Sequence, residues 1–98
     1  MGRYLALWEI DSSKSPIDAK EIAAGWSLLT EMVKQDIKSG ITKDHGTFVG
    51  ETNGYAIMEG TEVEVSSGLV KYAPYVIFKV HAVASLAQIS EVIKKMSG

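Results

Sequence analysis

Cysteine is absent from the chain, which excludes disulfides and thiolate metal sites and leaves packing as the source of stability. Long apolar runs are also missing. The opening MGRYLALWEID has one arginine and a short apolar stretch and then turns to charge, without the extended core of a signal peptide or the roughly 20 residues of a membrane span. A cytoplasmic location without a membrane partner is the expectation. Neither sign of charge dominates: the net charge is -2 and 22% of residues are charged, so nothing electrostatic calls for nucleic acid. The glycines at 50, 54 and 60 are spaced for a hairpin rather than for cradling phosphate, and no nucleophilic serine elbow is present. A metal site built from His45, His81 and carboxylates lacks a recognised ligand spacing. Neither a metal nor a cofactor is expected.

What is present suits one domain spanning residues 1–98, with 46% of its residues hydrophobic, so any cleft lies within one core or between copies of it. Tyr4 to Ile10 reads as a strand, ended by the loop-forming DSSKSP. Ser15, Pro16 and Asp18 form a helix start, and Ile22, Trp26, Leu29, Val33 and Ile37 lie on one helical stripe, with Gly40 at a left-handed C-cap. GTFVGET and YAIMEG flank Asn53-Gly54, which predicts a two-residue type I′ hairpin pairing Thr52 with Tyr55, Gly50 with Ile57 and Phe48 with Glu59. TEVEVSSGLVKYAP alternates like a strand at its start, yet Val65, Leu69 and Tyr72 or Ala73 match a short helix, and a helix is favoured because the chain must return across the sheet. Tyr75 to Val83 is the last strand. Ser85 with Gln88 makes a capping box, opening an amphipathic helix of Leu86, Ile89, Ile93 and Met96.

The order is therefore βαββαβ followed by a helix, an α+β, ferredoxin-like arrangement with an antiparallel sheet of order 4-1-3-2. Alternation places Tyr4, Ala6, Trp8, Ile10, Val49, Ala56, Met58, Val76, Phe78, Val80 and Ala82 on the face the helices cover. The opposite face carries Leu5, Leu7, Glu9, Phe48, Tyr55, Ile57, Glu59, Ile77, Lys79, His81 and Val83. That face is too apolar to be left in water, and a second copy packing sheet to sheet about a two-fold axis hides it. A homodimer through the open sheet face is the expectation.

The succession RYLALWEI, a long helix, GTFVGETNGYAIMEG, a helical return ending in YAPYVIFKV, and HAVASLAQISEVI resembles the small uncharacterised proteins of the dimeric alpha-beta barrel superfamily. That superfamily also includes muconolactone isomerase and antibiotic-biosynthesis monooxygenases. The resemblance covers nearly the whole chain and is most specific at Gly54 to Glu59 and Tyr72 to Val80. It implies the fold and dimerisation rather than a chemistry, because no motif permits a residue-by-residue transfer of catalytic groups. Ala84 stands where such proteins often have a proline.

The candidate site follows from the open face. With strand one taken as parallel to strand three and antiparallel to strand four, Glu9, Glu59 and Lys79 converge near one end and His81 lies beside Leu7. Candidate catalytic residues are His81 and Glu9, with His81 forming a proton-transfer pair with Glu9 or Glu59; Lys79, Glu59, Tyr55, Phe48, Leu7 and Ile57 are the candidate ligand-binding residues. Lys79 also suits a purely structural role, guarding an edge strand against unwanted pairing. His45 reads as a solvated loop residue, and Trp8 and Trp26 as core aromatics. The functional expectation is a homodimer binding a small, partly apolar molecule between its two sheets. The alternatives are a cofactor-free isomerase or monooxygenase-like enzyme with His81 as base, and an oligomerisation module without a ligand.

Overall fold

The structure, a computed structural model, describes residues 2–14 and 16–98. Strand β1 (Gly2–Ile10) leads through a 3-10 turn at Ser12–Lys14 to helix α1 (Ala19–Ser39). Strands β2 (Thr42–Thr47) and β3 (Asn53–Gly60) follow, then helix α2 (Glu62–Val70), strand β4 (Val76–Val83) and helix α3 (Leu86–Met96). The sheet order is β2-β3-β1-β4 with every neighbouring pair antiparallel. This is the expected order read from its other edge, and it is close to a ferredoxin-like fold. The expected parallel pairing of strand one with strand three is corrected: one helix returns the chain between β1 and β2, and the hairpin then reverses it again, so β3 must run against β1.

The hairpin also closes elsewhere than expected. Asn53 and Gly54 are already inside β3, and the reversal occupies residues 48–52. There the Glu51 N–H donates to the Phe48 carbonyl at 3.0 Å, and Gly50 takes φ +79, the left-handed value that a type II turn requires at its third residue. The pairs that form are Thr47 with Gly54, Gly46 with Tyr55, His45 with Ala56 and Asp44 with Ile57, followed by a bulge at Lys43 and the pair Thr42 with Met58. Phe48 and Val49 thus leave the sheet, Val49 being fully exposed, and His45 enters it.

Each helix has a local reason to form. Asp18 caps α1, its carboxylate accepting from the Lys20 N–H at 2.7 Å, and Gly40 ends it at φ +89. The start thus lies later than expected: Pro16 precedes the cap, and Ser15 is outside the described residues. The inward stripe of α1 runs through Ile22, Leu29 and Val33, then turns to Asp36, 5% exposed, while Ile37 is 48% exposed. Segment 62–70 is helical, opened by a reciprocal capping box between Thr61 and Glu64. The Ser85 and Gln88 box opens α3 as expected.

Pairing across the sheet verifies the two faces for β1, β3 and β4, while Phe48 and Val49, expected on strand two, lie outside the sheet. Tyr4, Ala6, Trp8 and Ile10 stand opposite Ala82, Val80, Phe78 and Val76, while Tyr4 and Ala6 also meet Met58 and Ala56. On this face Ala6, Ala56, Met58 and Val65 form the buried core, with Tyr4, Ile41, Leu69 and Phe78 packed around it. Helix α1 packs against β2 and α2 against β3, leaving the face thinly covered over β4, where Val80 is 41% exposed. Helix α3 buries none of its residues.

Candidate functional site

The open face receives most of the residues expected there, in a different arrangement. Leu7 pairs with Tyr55 and Lys79, and Leu5 with Ile57 and His81, so His81 stands beside Leu5 rather than Leu7. Glu9 sits at one end, opposite Asn53 and Ile77, whereas Glu59 is at the other end, opposite Arg3. Antiparallel pairing therefore separates Glu9 from Glu59. Among the described residues no ion pair joins Lys79 or His81 to either carboxylate. Lys79 and His81 are exposed and Ile77 is 52% exposed, while Leu7 and Ile57 are half-buried. Tyr55 lies over Gly46 and donates from its hydroxyl to Asp44 at 2.8 Å, which raises the phenol's pKa. Phe48, from the turn, stacks beside it at 6.4 Å between ring centroids. The open face is a bare apolar surface with scattered charges, without an assembled constellation.

A concave site lies on the other side, between α1 and the sheet. It is a cavity of about 300 Å³, at the lower end of the range for small-molecule pockets. Its floor is formed by Trp8, Ala56, Met58 and Phe78 of the strands, and its roof by Trp26, Leu29, Val33 and Asp36 of α1. Glu51 and Thr52 stand at its mouth because the turn is tied to β1, the Ile10 N–H donating to the Thr52 carbonyl at 3.0 Å.

Two aromatic arrangements give the cavity its chemistry. Trp8 lies across Gly54, where a Cβ would meet its Cζ2 at 2.6 Å and the Gly46 carbonyl oxygen at 2.0 Å. Its indole N–H donates to the Tyr55 carbonyl at 3.2 Å, and the ring stacks on His45 with centroids 5.3 Å apart and an interplanar angle of 11°. Desolvation lowers the pKa of His45, with Asp44 pulling the other way, so the imidazole is neutral at pH 7 and presents one donor and one acceptor. At the other end the Tyr72 hydroxyl donates to Asp36 Oδ2 at 2.6 Å, and Phe78 meets the Tyr72 ring edge-on at 6.0 Å. Burial, and then this hydrogen bond to Asp36, push the Tyr72 phenol far above the usual tyrosine range; it stays protonated as a donor.

Asp36 also pairs with Lys71, at the C-cap of α2. The Asp36, Tyr72 and Lys71 group therefore ties α1 to the segment between α2 and β4, which is a structural role in its own right. A buried carboxylate needs such partners to remain charged. His45, expected in a solvated loop, stands instead in β2, and Asp36 was not singled out from the sequence. His45 depended on the hairpin register. Asp36 had a usable signal, since the four-three-four spacing of Ile22, Trp26, Leu29 and Val33 continues to position 36, but an apolar Ile37 stood next to it. The residues here can enclose an apolar body between rings and offer hydrogen bonds at both ends. No protein-family model matches the chain, and no curated protein is similar to it in sequence.

Proposed function

We propose that this chain binds a small, partly apolar molecule in the cavity between α1 and the sheet. The observation that carries the reading is the union, in one half-open cleft, of ring walls from Trp8, Trp26 and Phe78 with a few hydrogen-bonding groups, His45, Asp36 and Tyr72. Ligand sites are typically of that kind: mostly apolar, with few polar groups that orient the guest. Indole serves as the probe. It is expected to raise the melting temperature, as any ligand selective for the folded state must, and to move the NMR resonances of the Trp8 indole N–H and the His45 ring. Val33→Phe, which fills the cavity from α1, is expected to abolish both effects while the far-ultraviolet circular dichroism stays unchanged. An indole titration that leaves the Trp8 and His45 signals in place overturns the reading.

A second reading is favoured by the bare opposite face, where Leu5, Leu7, Ile57, Ile77 and Val83 are not sealed by their own chain. On this reading two copies pair sheet to sheet, as the resemblance to the dimeric alpha-beta barrel superfamily implies. A molecule is then held between them by Lys79, Glu59, Tyr55, Phe48, Leu7 and Ile57, with His81, assisted by Glu9, as a base. The same titration separates the two sites: shifts at His81 and Lys79, with none at Trp8 and His45, place the guest between the sheets.

A further inference from the structure

Resting on the cavity reading, we infer that the guest under α1 is a cation, an organic amine or ammonium carried on an aromatic or partly apolar body. The first support is the sign of the lining. Of the ten lysines and arginines in the chain, none lines the cavity among the described residues, whereas two carboxylates, Asp36 and Glu51, do. Lys71 neutralises Asp36. Glu51 has no ion-pair partner among the described residues and stands in the exposed turn at the mouth, so the unbalanced charge facing an entering molecule is negative.

The second support is independent of charge count and comes from the rings. Trp8, Trp26, His45, Tyr72 and Phe78 all line the space, and the Tyr72 ring already holds a cation, Lys71 Nζ standing 5.5 Å from its centroid. The faces of tryptophan, tyrosine and phenylalanine carry the negative end of the ring quadrupole and attract a cation brought within about 6 Å, tryptophan most strongly. His45 adds no opposing charge while its ring is neutral. An anion entering the same space would lose its water and find only one ammonium near the wall, Lys71, already paired with Asp36, a cost that burial does not offset.

Three probes that share one ring system test the inference: tryptamine, 3-methylindole and indole-3-acetate, titrated calorimetrically at pH 7 against the full chain. Tryptamine is expected to bind about tenfold more tightly than 3-methylindole, and indole-3-acetate more weakly than either. Glu51→Gln is expected to narrow the preference for tryptamine, and Glu51→Lys to shift preference toward indole-3-acetate; both changes lie in an exposed turn. Equal affinity for the three probes, or tighter binding of indole-3-acetate, overturns the charge inference and leaves the cavity reading standing. Failure of all three to bind overturns the cavity reading and this inference with it.

Discussion

Gly54 decides more of the site than any reactive group does, because the Trp8 ring and the β2 backbone both occupy the space a side chain would need. Its backbone φ is not in the left-handed region, so the requirement is room, which explains why Asn53-Gly54 forms a strand start despite its suitability for a turn. Gly54→Ala is expected to destabilise the fold by about 1–3 kcal/mol, the usual range for overpacking, measured by urea denaturation; a change below about 0.5 kcal/mol, ordinary for a surface substitution, contradicts the close packing. His45 supplies a pH signature. Its folded pKa is depressed below the ordinary 6.5, so the folded state resists protonation and the unfolded chain takes up the proton first. The stability it contributes is present above pH 6.5 and is lost as pH falls from there through the depressed folded value. His45→Gln should flatten that part of the stability profile, and superimposable profiles for the two proteins would refute the assignment. Neither residue's role was legible in advance, since both depend on which strand residues stand opposite one another.

At the level of elements, the helices were the most readable part because their signals are local. Gly40, the Ser85 and Gln88 box and the apolar stripes of α1 and α3 all lie within a few residues of what they act on. The α2 box has the same character: the Thr61 N–H donates to Glu64 at 2.9 Å and the Thr61 hydroxyl accepts from the Glu64 N–H at 3.1 Å. Thr61→Ala is expected to cost about 1 kcal/mol, seen as faster amide exchange in the first turn of α2, and unchanged exchange there would count against the box. Helix α3 shows the limit of local signals. It has a sound cap and a coherent apolar stripe, but Leu86 and Met96 are exposed and no residue is buried. A helix of this length is marginal without packing, so in the dilute chain its amides are expected to exchange faster than those of β1 and β3. Protection of α3 equal to that of the central strands would show that something covers it.

For the whole molecule, the sheet has apolar residues on both sides and helices on one. The proposed sheet-to-sheet dimer is tested by light scattering at micromolar concentration, where a mass of twice the 10.6 kDa chain is expected. Ile57→Lys, which places a charge in the middle of the open face, is expected to yield the single chain; a wild-type protein that already scatters as a single chain refutes the dimer. Element order, sheet order, the two faces of β1, β3 and β4 and the existence of α2 were written in the sequence, because they rest on period, caps and the geometry of return connections. The antiparallel direction of β1 relative to β3 is also implied by that order. Only the tertiary structure decided the strand register, and with it the removal of Phe48 from the sheet, the entry of His45, and the separation of Glu9 from Glu59. It also revealed a concave site beneath α1. The physical reason is that a turn can close at either of two glycines when judged locally, and the choice falls to the one that leaves Gly54 free to receive the ring of Trp8 from a strand 46 residues earlier in the chain.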